Sequence, residues 1–116
     1  MSHRWPVRVY YANYLRFIER ARSEWLRELG MDQAAMKAEG TVFAVRRLEA
    51  EYLSPARFDD LLSVQTEVVG TSPARLVLHQ QVLRDDRLLF DAGVTVVAVS
   101  ASGRAIRLPR VLAELG

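Results

Sequence analysis

The alternation of apolar and polar residues changes its period along the chain, and this predicts where strands and helices lie. Over residues 5–11 apolar side chains occupy every second position, which is typical of a half-buried strand. Pro6, near the start of this stretch, favours an edge position because proline lacks a backbone N–H. Over residues 14–29 the apolar positions instead recur at helical spacing. The apolar stripe of this predicted helix comprises Tyr14, Phe17, Ile18, Ala21, Trp25 and Leu29.

Residues that cap helices or favour turns separate the predicted elements. Asn13 is the predicted N-cap and Gly30 the predicted C-cap of the long helix. Asp32 and Gly40 delimit a short second helix. Four stretches with strand character follow, over residues 41–53, 62–69, 75–84 and 88–100.

The rest of the chain completes the predicted architecture. Asp85 and Asp86 form a short polar turn, so the last two strands are predicted to pair as an antiparallel hairpin. Ser102 and Gly103 are expected to end the sheet, and Pro109 suits the first turn of a helix over residues 109–115. The order of elements predicts an α+β domain in which about five antiparallel strands curl around one long apolar helix. Long apolar strands such as residues 88–100 are expected to leave edges that need covering.

Composition narrows the class of protein. A chain of 116 residues fits a single domain, residues 1–116, and 50% hydrophobic against 26% charged residues is a globular composition. No apolar run approaches the ~18 residues of a membrane span, and the start of the chain lacks the apolar stretch of a secretory signal. The absence of Cys excludes disulfides and thiol chemistry. We therefore expect a cytoplasmic protein without a membrane span.

The charged residues do not indicate nucleic acid or metal as a ligand. The net charge is only +2, and acidic and basic residues alternate along the long helix instead of forming a basic face. The sequence contains two histidines, His3 and His79, and no Cys, which is too few of the usual ligands for a metal cluster. We expect no nucleic-acid partner, no metal and no cofactor.

Three segments resemble those of a known enzyme family. They are residues 7–10 (VRVY), residues 13–17 (NYLRF) followed by Glu19, Ala21 and Arg22, and residues 52–60 (YLSPARFDD). Over nearly the whole chain the sequence resembles the hotdog-fold acyl-CoA thioesterases, in the branch around 4-hydroxybenzoyl-CoA thioesterase and the Tol-Pal-associated thioesterase. The resemblance implies the hotdog fold and hydrolysis of acyl-CoA to CoA and a carboxylic acid. It also implies a homodimer or homotetramer with pockets between subunits.

One part of the family pattern is absent. Family members carry an acidic Asp-x-x-Gly motif, a short apolar stretch and a His just before the positions that match Ala12 and Asn13. This chain has no carboxylate between Arg8 and Glu19. In the family the Asp acts as nucleophile or general base, and backbone N–H groups at the helix start hold the thioester carbonyl. Either the chain lacks the catalytic loop after Tyr11, before Ala12, or the printed sequence omits it.

Geometry favours omission of the loop. A helix on a sheet lies about 10 Å away from it and each residue reaches at most ~3.5 Å, yet the predicted strand and helix leave almost no connecting residue. We therefore predict one Cα–Cα step between Tyr10 and Asn13 that is much longer than ~3.8 Å. A true deletion favours an alternative function, a non-catalytic hotdog module that binds acyl-CoA or serves in an assembly. A third possibility, a hotdog dehydratase or isomerase, requires a catalytic group for which only His79 is a candidate.

The resemblance assigns roles near the helix start. The residues expected to frame the oxyanion site and the acyl pocket are Tyr11, Asn13, Tyr14 and Phe17. Packing in the core is the simpler explanation for Tyr14 and Phe17. CoA carries several phosphate charges, and Arg binds phosphate through paired hydrogen bonds. The expected CoA-binding residues, which lie at loops or strand ends, are Arg57, Arg75 and Arg84.

Other polar side chains have simpler explanations than catalysis. Glu19 and Arg22 are three residues apart on the helix and are expected to form a surface ion pair. Glu49 and Glu51 share one strand face, as solvated residues do. His79 lies among apolar neighbours, where a hydrogen-bonded structural role is more common than catalysis.

Overall fold

The long helix lies against one face of an antiparallel sheet, as the hydrophobic pattern predicts. The structure is a computed structural model and describes residues 2–6, 14–57 and 60–115. In chain order the elements are β1 (Ser2–Pro6), α1 (Tyr14–Glu28), α2 (Gln33–Ala38), β2 (Thr41–Tyr52), β3 (Leu61–Thr71), β4 (Leu76–Arg84), β5 (Arg87–Ser100), β6 (Ala105–Ile106) and α3 (Arg110–Ala113). The predicted α+β class and hotdog arrangement are confirmed.

The order of strands decides which of them are exposed at an edge. Across the sheet the order is β1-β3-β4-β5-β2, all pairings are antiparallel, and β6 pairs with the end of β5. β1 lies at one edge, which confirms the position predicted from Pro6. β5 lies between β4 and β2, so the expectation that residues 88–100 leave an exposed edge is wrong. The second edge is β2.

Capping residues fix the ends of the first two helices. Gly30 ends α1 with a φ of +88°, a conformation that costs other residues roughly 1–2 kcal/mol, and its N–H donates to the Arg27 carbonyl at 2.9 Å. The Asp32 side chain accepts from the N–H of Ala35 at 3.1 Å at the start of α2. Gly40, with a φ of +89°, follows its end. The predicted boundaries at Gly30, Asp32 and Gly40 are confirmed.

The first strand differs from the predicted one. β1 begins at Ser2, three residues earlier than predicted, and the described part ends at Pro6. The reason is that Ser2, His3 and Arg4 already pair with β3, opposite Gln65, Val64 and Ser63, and the apolar alternation that begins at Trp5 does not encode this pairing. Residues 7–13 lie outside the described residues, and so do the predicted cap Asn13 and the predicted long Cα–Cα step.

The carboxyl-terminal part also departs from the prediction. The sheet does not end at the turn of Ser102 and Gly103, because β6 follows and pairs with β5 through two residues. A strand of two residues is too short to produce a recognisable alternation. Pro109 immediately precedes α3 instead of lying in its first turn, and α3 ends at Ala113.

The core lies between α1 and the helix-facing side of the sheet. The residues that α1 buries are Tyr14, Ile18, Ala21, Trp25 and Leu26. Leu26 was not in the predicted stripe, whereas Phe17 and Leu29 were and are only partly buried. The helix-facing residues of β4 and β5 are buried at every second position, which gives α1 an apolar surface to pack on.

The helix-facing side of β2 is poorly covered. α1 packs mainly against β3 and β4. The exposed fractions of Val45, Leu48 and Tyr52 are 46%, 39% and 65%. A β-bulge between Val45 and Arg47 interrupts the pairing of β2 with β5. An apolar face along an edge strand is a surface on which another molecule can bind.

Candidate active site

The amino end of α1 lies in a cluster of three aromatic rings. The ring centroid of Tyr14, the first residue of α1, is 5.1 Å from that of Phe90 in β5 and 6.1 Å from that of Tyr52 in β2. Tyr52 and Phe90 are 4.8 Å apart, with their ring planes at 69°. Ring pairs of this kind stabilise by roughly 0.5–1.5 kcal/mol beyond their buried area. Because Tyr52 is mostly exposed, the cluster opens to solvent on the side of β2.

A hydrogen bond from Tyr14 holds the start of α1 to the segment after β2. The Tyr14 hydroxyl donates to the carbonyl of Ser54 at 2.6 Å. Burial raises the pKa of Tyr14, so the hydroxyl remains a donor at neutral pH. Phe17, also expected to frame the site, packs against the core and is partly buried. The other two expected residues, Tyr11 and Asn13, lie outside the described residues.

Asp60 organises the backbone before β3. Its Oδ2 accepts from the backbone N–H of Arg57 at 2.5 Å and from Nη1 of Arg84 at 2.9 Å. The N–H of Arg57 and then the Arg84 guanidinium hold the pKa of Asp60 below its usual value. Only 17% of the Arg84 side chain and 15% of the Asp60 side chain are exposed. Arg84 thus has a carboxylate partner within the protein, and its predicted contact with CoA requires it to share or leave that partner.

The structure gathers some of the predicted CoA-binding arginines and separates another. Arg57 and Arg84 meet at Asp60, near the amino end of α1. Arg75 precedes β4 and lies about 30 Å from Arg84, because nine strand residues at ~3.3 Å each separate them. Arg87, which the sequence reasoning missed, lies directly opposite Arg84 in the hairpin and is exposed. Its position beside the turn was the signal available in the sequence.

A buried amide joins α1 to the sheet. Gln80 is fully buried, and its Nε2 donates at 3.0 Å both to the carbonyl of Ile18 in α1 and to Oγ1 of Thr66 in β3. Its Oε1 accepts from Nη1 of Arg22 at 2.9 Å. Sequence reasoning missed Gln80, although a single polar residue at an inward position of β4 must have buried partners.

Arg22 is bound differently from the prediction. Its bond goes to Gln80, and among the described side chains no carboxylate, Glu19 included, lies within 4 Å of its guanidinium. The expected surface ion pair between Glu19 and Arg22 is therefore wrong, because the partly buried Arg22 side chain turns toward the sheet. Burial lowers the pKa of Arg22, and the charge of Glu19 acts in the opposite direction.

A cavity of about 360 Å³, here called the helix-side cavity, lies between the second half of α1 and the strands β2, β4 and β5. Trp25 and Leu26 of α1 and Phe43 and Val45 of β2 form much of its apolar wall. Glu19 and Arg22 line its polar side. The volume lies in the range of small-molecule sites in proteins, roughly 300–1,000 Å³.

The remaining candidates lie on the opposite face of the sheet from α1. There Nε2 of His79 is 2.5 Å from Oδ1 of Asp91, and its Nδ1 is 4.0 Å from Oε2 of Glu67. Glu49 forms an ion pair with Arg47 on this face, as expected for solvated residues. His79 is thus hydrogen-bonded to Asp91 on the face away from α1, and its structural role stays a prediction.

The amino end of α1 offers electrostatic stabilisation of a negative charge. The first N–H groups of any helix lack carbonyl partners within it, and the helix dipole is positive at that end. An oxygen that gains negative charge beside the aromatic cluster is stabilised by both. Within the described ranges, no three His, Asp or Glu side chains are grouped so as to hold a metal ion. In those ranges no helix has the length and apolar character needed to cross a membrane.

The Asp60 contacts predict a pH-dependent contribution to stability. Because the folded-state pKa of Asp60 is depressed, its contribution is present above the unfolded pKa of about 3.9 and is lost as pH falls through the folded value. We expect Asp60→Asn to lower the free energy of unfolding at pH 7, and the difference from wild type to shrink from about pH 5 downward. Urea denaturation across this pH range measures the difference. Asp86→Asn, in the exposed β4–β5 turn, is the matched control; an equal pH profile in both variants would contradict the assignment.

Comparison with known proteins identifies the family. A sequence model described as "Thioesterase superfamily" matches residues 8–91. "Acyl-CoA thioester hydrolase YbgC" of Escherichia coli O157:H7 is 43% identical over 108 residues, covering 83% of this chain and 81% of the relative. "Acyl-CoA thioesterase YbgC" of Haemophilus influenzae is 39% identical and covers 81% of this chain and 78% of the relative. The crystal structure of a probable thioesterase from Bartonella henselae has a TM-score of 0.87 at 31% identity, covering 94% of this chain and 98% of that one. This chain therefore belongs to the thioesterase superfamily.

Proposed function

We propose that the protein hydrolyses acyl-CoA thioesters to CoA and a carboxylic acid. The observation that carries this proposal is the 43% identity to an acyl-CoA thioester hydrolase, over 81% of the length of that relative. The amino end of α1 supports it, because the reaction passes through an oxyanion that this end can stabilise. A hydrolase that loses one oxyanion donor typically loses about 10²–10³ in kcat, so this is the largest single effect expected from the fold.

The reaction follows from the groups gathered near Tyr14. The thioester carbonyl oxygen lies at the helix start, beside the aromatic cluster that excludes water from one side. In one route water attacks the carbonyl carbon directly. In the other a carboxylate attacks first, and water then hydrolyses the acyl anhydride that forms. In both routes the C–S bond breaks and CoA leaves as a thiolate, which takes up the proton that the water gives up. Arg57 and Arg87 are exposed at this end and can bind the CoA phosphates, while Arg84 is held by Asp60.

The mechanism needs a carboxylate that attacks the carbonyl or activates water, and no described residue is assigned to this role. The aligned stretch of the Escherichia coli relative spans 108 positions but takes up 83% of this chain, about 96 residues, so about a dozen positions have no counterpart here. This number fits the length of a loop such as the one proposed between Tyr11 and Ala12. The lack of any carboxylate between Arg8 and Glu19 favours the second candidate function, a non-catalytic module that binds acyl-CoA. The dehydratase or isomerase alternative is disfavoured because His79 is on the face away from α1.

The mass of the natural protein distinguishes the two candidates. A dozen further residues add about 1.4 kDa to the 13.2 kDa of the printed sequence, at the average residue mass of this chain. We expect intact mass spectrometry of the protein from its native source to give the larger value. Agreement with 13.2 kDa would instead support the binding module.

An uncovered β2 edge supports a homodimer. The apolar side chains on its helix-facing side, with the open hydrogen-bonding edge of the strand, suit antiparallel pairing with a second copy. Such a dimer brings the helix-side cavity of each subunit next to its partner. Further pairing of dimers into a tetramer, and a cytoplasmic location, remain predictions.

We expect Leu48→Glu to dissociate the dimer. A carboxylate placed at the centre of the apolar β2 face must be desolvated on pairing, which disfavours association. Sedimentation equilibrium should give two or four times the subunit mass for wild type, and half of the wild-type mass for the variant. Val69→Glu, at an exposed apolar position on the other edge region of the sheet, is the matched control and should remain dimeric. A wild-type monomer, or a dimer unaffected by Leu48→Glu, contradicts pairing through β2.

The CoA contacts are tested by thiol release from matched substrates. We expect Arg57→Ala to raise KM several-fold for hexanoyl-CoA and to leave KM unchanged for hexanoyl N-acetylcysteamine, which lacks the phosphates. Arg75→Ala tests the remaining predicted CoA contact, at the opposite end of β4 from Arg84. If one subunit supplies the whole CoA site, this variant should leave KM unchanged for both substrates. Equal changes for both substrates would show that Arg57 does not bind phosphate. No thiol release from any acyl-CoA, in protein of verified mass, would remove the hydrolase proposal.

A further inference from the structure

The helix-side cavity lies along the same helix as the proposed oxyanion site. Glu19 is five residues and Trp25 eleven residues beyond Tyr14, so the cavity extends from about 7 Å to about 16 Å along the helix axis. The helix-facing side of β2 runs beside it, from Tyr52 near Tyr14 to Phe43 near the far end. An acyl group whose carbonyl lies at the helix start can therefore extend along β2 into the cavity.

Most of the cavity wall suits hydrocarbon. Trp25, Leu26, Phe43 and Val45 offer an apolar surface against which methylene groups are removed from water. An acyl chain in this position also covers part of the β2 face that α1 leaves exposed. The apolar wall alone indicates no preference beyond hydrophobicity.

The polar side of the cavity is built by Arg22. Its guanidinium has five N–H groups, of which one on Nη1 donates to the buried Gln80. Gln80 is fully buried, and its amide donates to the carbonyl of Ile18 and to Thr66. The hydrogen bond with Gln80 therefore fixes the orientation of the Arg22 guanidinium. A guanidinium only donates, so the group it binds in the cavity must be an acceptor.

We propose that the helix-side cavity binds the distal part of the acyl group, and that Arg22, oriented by Gln80, selects acyl groups with an uncharged oxygen acceptor there, a hydroxyl or keto group. This inference rests on the proposed hydrolase function. Glu19 lines the same cavity and opposes a distal carboxylate by like-charge repulsion. A plain alkyl chain leaves the donors of Arg22 without a ligand partner where water has been displaced, which lowers its affinity. Arg22 is thus a specificity-determining residue for this site.

The test uses three CoA thioesters of equal chain length. They are hexanoyl-CoA, 6-hydroxyhexanoyl-CoA and adipoyl-CoA, which end in a methyl group, a hydroxyl and a carboxylate. For wild type we expect kcat/KM for the hydroxyl substrate to exceed that for hexanoyl-CoA about tenfold, mainly through KM, since a bond to a charged donor at a partly exposed site has about this effect. Adipoyl-CoA should not exceed hexanoyl-CoA.

The variants assign the preference to Arg22. In Arg22→Met the ratio between the hydroxyl and alkyl substrates should fall to near one. Arg27→Met removes an exposed guanidinium from the same helix, outside the cavity, and should keep the wild-type ratio. Gln80→Met is expected to reduce the ratio while Arg22 is still present, because the guanidinium loses its fixed partner. Circular dichroism and thermal unfolding verify that each variant is folded.

The outcomes separate this inference from the hydrolase proposal. A wild-type enzyme without preference for the hydroxyl substrate, a preference that survives Arg22→Met, or a preference for adipoyl-CoA overturns the role of Arg22 while leaving the hydrolase proposal intact. If no thioester is cleaved, the hydrolase proposal fails, and calorimetry with the same three intact ligands tests the cavity directly. The inference then requires about tenfold tighter binding of the hydroxyl ligand by wild type and its loss in Arg22→Met.

Discussion

The hydrogen bonds of Gln80 fix where the long helix lies on the sheet. A backbone carbonyl in the middle of α1 is held at 3.0 Å by a fully buried amide of β4, with Thr66 of β3 as a second acceptor. A buried polar group left without partners costs about 1–3 kcal/mol, so any sideways shift of the helix is opposed. α1 therefore stays over β3 and β4, and the space beside it over β2 remains open. The cavity and the uncovered edge strand are two results of this one constraint.

The two ends of the sheet carry different groups of residues. At one end the start of α1, the segment after β2 and the β4–β5 hairpin bring together Tyr14, Asp60 and several arginines. At the other end α3 closes the core, where the Leu112 carbonyl accepts from Oγ1 of Thr71 at 2.7 Å and the N–H of Leu108 donates to Pro73 at 2.8 Å. Arg57 and Arg87 are exposed at the first end, whereas the polar groups named at the second are used within the fold. Chemistry and structural closure are thus separated by the length of the strands.

Local pattern predicts the elements better than it predicts their partners. The boundaries of α1 and α2 follow from neighbouring residues, so Gly30 and Asp32 suffice to locate them. Gln80, in contrast, contacts Arg22 from 58 positions away, and no periodicity encodes such a pair. Arg75 and Arg84 lie at the two ends of one predicted strand, so their separation follows from the sequence, and only the fold shows that Arg84 is the one at the end with Tyr14 and Asp60. The register of β1 is likewise set by pairing with β3, because its alternation fits several registers equally.

The bulge in β2 has a consequence for the behaviour of the protein at high concentration. An edge strand of twelve residues with apolar side chains is a template on which unfolded chains can add and start fibres. Between Val45 and Arg47 the spacing of the backbone groups is broken, so a regular strand can align with only half of the edge at a time. Glu49 and Glu51 place like charges along one side of the remaining half, which disfavours stacking of many copies. The same strand can thus be open to one specific partner and still resist amyloid growth.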